Sequence, residues 1–479
     1  MKKLVVIIVI FLLAGRLNAQ DIAGNWVGAI SVSGVRLHLV FNIKKSADTS
    51  YTSTMDSPDQ KAYGIACNAT YVKKDSLFIG IPAIRGGYSG QWTGGDSISG
   101  IFRQGSARIP IGLKRITDAQ KAQLSTDPVR PQTPKAPFGY YSEDVEYENA
   151  DKTMHYGATF TRPNGEGKYP AVIIISGSGT QDRDGTMMKG HKPYLVLADY
   201  LTKHGIAVLR VDDRGAGKSS LGPDINSRTT LDFSYDVETS LNYLETRSDV
   251  DKKHLGLIGH SEGGAIAPMV AARRKDVSFI VLWGAAGAGG ALALAEQYAN
   301  VLKQQGADTA AVNIYEKFHL QALQLFAVSP NKDTLDNKIT AAFDSWEKNQ
   351  QPVTLNALHI GAGTLPNILK LFDATYNQPW LRYFIAYNPA TDLSKVKCPV
   401  LAINGEKDTQ VNAAENLAAI KAILTKSGNK DFEVKAIPRL NHLLQTAKTG
   451  QLDEYDQIQE TMSPAAMNII SDWIKLHTK

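Results

Sequence analysis

Two hydrophobic rhythms divide the chain. Between residues 21 and 115, short segments alternate or run apolar at close intervals. They include Trp26-Val-Gly-Ala-Ile-Ser-Val32, Val35-Arg-Leu-His-Leu-Val-Phe-Asn-Ile43, Ser76-Leu-Phe-Ile-Gly-Ile81, Ser97-Ile-Ser-Gly-Ile-Phe102 and Ile109-Pro-Ile-Gly-Leu113. Gly, Asn, Asp and Ser punctuate them, which predicts a small all-β domain, a barrel or half-barrel. Aromatics within it, such as Tyr88 and Trp92, are expected to pack its core. Pro128, Pro131, Pro134 and Pro137 then mark an extended linker over residues 116–137.

From residue 138 to 479 the pattern is that of strands and helices in succession. Val145 to Phe160 predicts an opening hairpin, and the wholly apolar Val172-Ile-Ile-Ile175 predicts a strand covered on both faces. Further strands are expected at Ala207–Val211, Leu255–Ile258, Phe279–Trp283, Cys398–Gly405 and Phe432–Ile437. Over a hundred residues separate the strand ending at Trp283 from the one opening at Cys398, and they are helix-like. The stretches are Ala291 to Ala299, Ile314 to Phe326, Leu335 to Lys348 and Thr364 to Phe372, forming a cap over about residues 287–390. Trp380, Leu381, Phe384 and Phe326 are its candidate pocket residues.

The N-terminus changes the compartment. Met1-Lys-Lys3 is charged, Leu4 to Leu13 is apolar, and Ala19 offers a small residue before a cut at about 19 or 20. This predicts a signal peptide over residues 1–20 and export to the periplasm or beyond, with no membrane anchor once it is removed. Removal takes away Lys2, Lys3 and Arg16 and no acid, lowering the formal charge of +5 by three. So near-neutral a mature chain gives no electrostatic case for nucleic acid or a membrane surface. Cys67 and Cys398 fall in different predicted domains and are read as two buried thiols.

Candidate chemistry centres on Gly259-His-Ser-Glu-Gly-Gly264, directly after one predicted strand and directly before the helix-like Ala265 to Ala272. Gly259 and Gly263 flank Ser261 where a side chain would collide with neighbouring backbone. The serine is thereby held in a strained corner, and the following helix points free N–H groups at a reacting carbonyl. A hydroxyl near neutral pH needs a base, and the base needs an orienting carboxylate. His442, in the loop Pro438-Arg-Leu-Asn-His442 after a strand, is the candidate base; His477, third from the C-terminus, is expected to fray. The acid is expected after the preceding strand. Asp408 is the best candidate, Glu406 the second, and Asp392 is worse because it precedes its strand.

An oxyanion needs a second donor besides the N–H of Glu262. Ser176-Gly-Ser-Gly-Thr-Gln-Asp-Arg-Asp184 leaves the Val172–Ile175 strand through two glycines, making the N–H of Ser178 or Gly179 the partner. Asp182, Arg183 and Asp184 have no third ligand at useful spacing and are read as loop-fixing ion pairs rather than a metal site. Two nucleotide patterns fail. The position five before Gly217 is Asp212, not the Gly of a Walker loop, and residue 292 is Leu where a dinucleotide fingerprint beginning at Gly287 needs Gly. No cofactor and no metal are expected.

With these motifs the chain resembles the alpha/beta-hydrolase superfamily, in particular secreted bacterial carboxylesterases with a GHSEGG elbow. Residues 176–184 match that branch's SGSG-x-QDRD loop, and Asp212-Asp-Arg-Gly-Ala-Gly-Lys-Ser219 matches its DDRG-x-G-x-S segment. The resemblance covers about residues 138–479. It implies an α/β fold, an alpha/beta-hydrolase sheet with a helical cap insertion, preceded here by the all-β domain. It also implies Ser261, Asp408 and His442 as the triad. The expected activity is hydrolysis of short- to medium-chain carboxylic esters of small molecules. The alternatives are a serine peptidase, with cap acids Glu296, Glu316 or Glu347 clamping a substrate amine, and a noncatalytic binding protein on the same scaffold.

Overall fold

The computed structural model describes residues 21–479 apart from 33, 34, 49, 106, 125–128, 188, 330 and 362, so the predicted signal peptide lies outside the described residues. The chain separates into two compact units that divide after residue 126.

The first unit carries β1 (Gly24–Val32), β2 (Val35–Lys45), β3 (Tyr51–Ser57), β4 (Ala62–Ala66) and β5 (Ala69–Lys73). It continues with β6 (Ser76–Ile81), β7 (Gly86–Gly94), β8 (Ser97–Gln104) and β9 (Ala107–Ile116). They form one nine-stranded sheet in the order β4-β3-β2-β1-β9-β8-β7-β6-β5. Its ends curl toward each other: the Ser53 hydroxyl on β3 meets that of Thr70 on β5 at 2.6 Å. Inside lie Trp26, Phe41, Tyr88 and Phe102, with Trp92 edge-on to Trp26 at 5.2 Å. Pro110 fits within β9 because there it pairs only with Ile101 of β8, while the β1 side of the strand pairs only from Lys114 onward.

The linker boundaries need correcting. Asp118–Leu124 is a helix of the first unit, fastened by Lys121 to Asp56 at 2.9 Å and by Asn25 to Asp118 at 2.7 Å. Residues 130 and 132 belong to the second unit. The Arg130 guanidinium donates to the carbonyls of Lys189, Asp456 and Ile458, and the Gln132 amide donates to Met462 O at 2.7 Å. Pro131, between these two anchors, therefore lies in a docked segment rather than a free spacer.

The second unit is built on β10 (Tyr141–Glu148), β11 (His155–Arg162), β12 (Tyr169–Ile175) and β13 (Ala207–Val211). β14 (Val250–His260), β15 (Val277–Trp283), β16 (Val400–Gly405) and β17 (Phe432–Ile437) complete it. The sheet order is β10-β11-β13-β12-β14-β15-β16-β17, antiparallel at its first two pairings and parallel from β13 onward. Alternate residues of β12 feed opposite cores. Ile173 and Ile175 pack beneath helices Thr230–Thr246 and Gly263–Arg273, whereas Val172 and Ile174 face helices Pro193–Lys203 and Pro464–Leu476. Burial on both faces is why this strand has no polar alternation. The chain passes from β12 to β13 on one side, then returns past β12 to β14 on the other. That reversal leaves a crevice at the carboxyl ends of β12 and β14.

Between β15 and β16 lie helices Gly290–Gln304, Thr309–Gln324, Lys332–Lys348, Pro352–Ala357, Thr364–Leu371 and Pro379–Ala386. They own a separate aromatic core around Phe318, Phe343 and Phe372. Phe326, Leu381 and Phe384 belong to that core, so these expected pocket residues instead hold the insertion together. His477 does not fray: its ring lies tilted against Trp473, centroids 4.0 Å apart, and its Nε2 meets Asp431 at 3.2 Å. Cys67 and Cys398 are free and only partly buried, and burial pushes the Cys398 thiol up to about 12. Among the described residues no helix is long and apolar enough to cross a membrane.

Candidate active site

Ser261, Asp408, His442 and the oxyanion donors all follow the carboxyl ends of parallel strands. Ile175 of β12 pairs with Gly259 of β14, and His260 of β14 pairs with Trp283 of β15. The loops following these strands, and those following β16 and β17, are therefore neighbours. Ser261 sits at φ +54°, a left-handed conformation that costs a non-glycine residue free energy and marks a constrained site. The corner is tight. A Cβ on Gly259 would lie 2.1 Å from the Gly263 carbonyl oxygen, and one on Gly263 would lie 2.5 Å from that of Ile175. Ser261 N–H donates to Trp283 O at 2.8 Å, which ties the corner to the neighbouring strand.

His442 and Asp408 meet beside it. His442 Nδ1 and Asp408 Oδ2 are 2.6 Å apart, and both residues are buried. Asp408 Oδ1 accepts the N–H groups of Gln410 and Val411, each at 2.8 Å, so the carboxylate cannot swing away. The Trp283 indole donates to His442 O at 2.8 Å, and the His442 ring lies 4.8 Å from the ring of His260, next in sequence to Ser261. Gly284 fits where it does because a Cβ there would stand 2.9 Å from His442 Cε1. The other two carboxylates considered are elsewhere engaged. Glu406 is exposed and accepts the Arg439 N–H at 3.3 Å, and Asp392 accepts the Tyr387 hydroxyl at 3.0 Å.

The oxyanion candidates are presented as free donors. Gly177 N–H is taken by the Tyr194 hydroxyl at 3.1 Å. Among the described residues no acceptor pairs with the N–H of Ser178, Gly179 or Glu262, and Ser178 and Gly179 are exposed. Tyr194 also lies 2.9 Å from His260 Nδ1 and donates to Gln181 at 3.0 Å. Burial, and then the neighbouring His442, hold His260 well below the usual imidazole range. Nearby, Arg183 pairs with Asp212 at 2.5 Å, and Asp184 pairs with Arg210 and with Lys192. Asp182 departs from the ion-pair expectation, because its Oδ1 caps the turn by accepting the N–H groups of Asp184 and Thr186.

The sequence reading did not assign a role to the Glu262 side chain. It is buried beside the nucleophile, and its Oε1 accepts the Thr230 hydroxyl at 2.8 Å and the Trp380 indole N–H at 2.7 Å. Burial raises its carboxyl above the ordinary range against these hydrogen bonds. Glu262 and Trp380 border a cavity of about 270 Å³ that also reaches Gly179, Asp213, Arg214 and Phe233. Of the four expected cap pocket residues only Trp380 lines it, and Glu296, Glu316 and Glu347 do not. Within it, Arg214 grips Asp236 through two bonds, at 2.7 and 2.6 Å.

A family model described as serine aminopeptidase, S33, matches residues 188–337, and one described as the prolyl oligopeptidase family matches residues 368–462. Esterase EstD of Thermotoga maritima is 24% identical over 310 residues, covering 64% of this chain and 62% of EstD, so the match spans less than two thirds of that relative. Among solved structures, the Pyrococcus furiosus esterase PF2001 aligns with a TM-score of 0.40 at 15% identity, covering 71% of this chain and 92% of that one. Est1E of Butyrivibrio proteoclasticus, with ferulic acid bound, aligns with a TM-score of 0.39 at 14% identity, covering 70% and 97%. The family matches and the esterase relative support membership of the alpha/beta-hydrolase superfamily.

Proposed function

We propose that this member of the alpha/beta-hydrolase superfamily is a serine carboxylesterase acting on short- to medium-chain esters of small molecules. The observation that carries the reading is the buried His442–Asp408 pair, 2.6 Å apart, beside a serine in a left-handed corner. Ser261 Oγ attacks the ester carbonyl while His442 Nε2 takes its proton. Asp408 holds the Nδ1 proton and stabilises the imidazolium that forms. The N–H groups of Glu262 and Ser178 receive the oxyanion. Collapse releases the alcohol, protonated by His442, and leaves Ser261 acylated; water, activated by the same histidine, then frees the acid. EstD, an esterase by name, is consistent with this chemistry. The apolar Leu4 to Leu13 supports export to the periplasm or beyond, which N-terminal sequencing of the mature protein would test.

The descriptions of both matched families favour a second reading, serine peptidase. One experiment separates the two. p-Nitrophenyl esters of increasing acyl length are assayed beside aminoacyl and prolyl p-nitroanilides, with and without chelator. Ester cleavage that resists chelator, with little anilide cleavage, supports the esterase; the reverse preference supports the peptidase. Ser261→Ala should abolish turnover and leave the melting temperature close to wild type. Residual activity within about tenfold of wild type would place the nucleophile elsewhere.

A further inference from the structure

We propose that Asp213 is a positioning residue of the oxyanion loop, fixing the direction of the Ser178 N–H by gripping the loop on both sides of it. The inference rests on the serine-esterase reading above.

β13 pairs with β12, so the segment leaving β13 runs beside the segment leaving β12. Two consecutive aspartates use that adjacency. Asp212 faces the far part of the loop, accepting Arg183 N–H at 2.8 Å and the Arg183 guanidinium at 2.5 Å. Asp213 faces the near part. Its Oδ1 accepts the Ser176 hydroxyl at 2.6 Å, its Oδ2 accepts Gln181 N–H at 2.8 Å, and its own N–H donates to Gln181 O at 3.0 Å. Residues 177–180 are the span held between these grips.

Within the span the hydrogen bonds are assigned one way. Gln181 Nε2 donates to Ser178 O at 3.3 Å, and Gly177 N–H goes to the Tyr194 hydroxyl. The single proton of that hydroxyl goes to Gln181 Oε1, so His260 Nδ1 must be the donor toward Tyr194. Gln181 is thus the joint between Asp213 and the segment bearing Ser261. Only the outward N–H groups of the loop remain free for a ligand.

A carboxylate suits this geometry because each oxygen accepts one bond as the groups stand, the Ser176 hydroxyl on Oδ1 and the Gln181 N–H on Oδ2. An asparagine must keep its oxygen on the Gln181 N–H, and its NH₂ then faces the Ser176 hydroxyl, which has to turn from donor to acceptor and loosen that grip. The arrangement is also costly. Burial, with Glu262 on the elbow and Asp236 on helix Thr230–Thr246 facing it, pushes the Asp213 carboxyl up to about 7. Tyr194 faces it from helix Pro193–Lys203, and Arg214 shares its cavity but is engaged with Asp236. A carboxylate retained in such surroundings beside a reactive serine is more often functional than incidental.

An oxyanion hole displaced by a fraction of an ångström loses transition-state stabilisation with little loss of substrate binding. The test compares wild type, Asp213→Asn, Ser176→Ala and Ser261→Ala on p-nitrophenyl butyrate, together with inhibition by butaneboronic acid. In that inhibitor the boron forms a bond to Ser261 Oγ and becomes tetrahedral. Asp213→Asn should lower kcat by roughly 10- to 100-fold with KM changed less than about threefold, and weaken boronate binding in proportion. Ser176→Ala, which removes one grip, should shift the same quantities by a smaller factor, and it carries the test if Asp213→Asn does not fold. Unchanged kcat and boronate affinity in a folded Asp213→Asn protein would overturn the inference. So would a kcat loss matched by a rise in KM. Turnover that survives Ser261→Ala would instead overturn the esterase reading, and this inference with it.

Discussion

Replacing Asp408 by asparagine forces a choice between two poor arrangements. If the amide oxygen keeps the Oδ1 position, with its N–H donors from Gln410 and Val411, the NH₂ faces His442 Nδ1, 2.6 Å away in the wild type. That nitrogen must then accept, so the ring proton sits on Nε2, the atom needed to take the proton from Ser261. If the amide flips, its NH₂ meets two backbone N–H groups instead. Two hydrogen bonds are lost and two buried donors are left unpaired, on the order of 4 kcal/mol in all. A penalty of that size leaves roughly one molecule in a thousand with the competent tautomer, before counting the lost stabilisation of the imidazolium. kcat/KM should therefore fall by about 10³- to 10⁴-fold. The assay is p-nitrophenyl butyrate hydrolysis from pH 6 to 9, with melting temperature measured alongside to exclude unfolding. A loss of less than about tenfold in folded protein would refute the argument. Glu406→Gln is the control; Glu406 is exposed, and its side chain accepts the Arg439 N–H. Near-wild-type activity is expected there, and severe loss would move the acid two residues upstream.

Further consequences are equally open to measurement. Gly259→Ala drives a Cβ to 2.1 Å from the Gly263 carbonyl oxygen, backbone that cannot yield without opening the corner. Activity should drop at least 100-fold, with a stability loss of about 3 kcal/mol by urea titration; wild-type values would mean that the corner is looser than described. Trp380→Phe removes one of two donors to Glu262 Oε1 and should reduce kcat/KM by roughly tenfold, the equivalent of about 1.4 kcal/mol. No change would show that the indole only fills space. Glu454 accepts the Thr449 hydroxyl and the N–H groups of Lys448, Thr449 and Gly450, and against burial these bonds hold its carboxyl down at about 2. Its folded value lies below the unfolded one, so its stabilisation is complete above about 4.5 and is lost as pH falls towards 2. Glu454→Gln should lower the urea midpoint at pH 7, with the gap to wild type narrowing in acid; a gap independent of pH would contradict this.

How legible the molecule was depended on whether burial wrote itself into local pattern. β12 is apolar at successive positions because both its faces are covered, and such a run is plain in the sequence. β7 was missed as a strand because Gly86, Gly87, Gly90 and Gly94 interrupt its alternation, although Tyr88 and Trp92 mark its inward face. β4 and β5 are the short edges of their sheet and carry exposed Tyr63 and Tyr71, so they lack an apolar signature. At the site, Asp408 and His442 could be proposed from chain order alone, since both follow parallel strands on the same edge. Their 2.6 Å separation could not. Glu262 was legible as a backbone donor but not as a side chain, because its partner Trp380 lies 118 residues away. Asp213 stood in a noticed motif, yet its role depends on β13 lying beside β12, and strand order is a tertiary fact.

The indole bridge from Trp380 to Glu262 bears on how such proteins can be remodelled. The insertion between β15 and β16 looks modular, with its own aromatic core and its two ends close together, a Cβ on Gly289 lying 3.7 Å from Tyr387 O. Exchange of that module between relatives is nevertheless constrained at one point. A replacement must present a donor to the carboxylate adjoining the nucleophile, or arrive together with a different residue at 262. Excising the module outright would strip the Trp380 donor from that carboxylate, leaving it to the Thr230 and Ser178 hydroxyls, and would uncover the apolar Ala286. The segment that differs most in appearance from the parallel sheet is thus bound to its most constrained turn, and the two have to change as a pair.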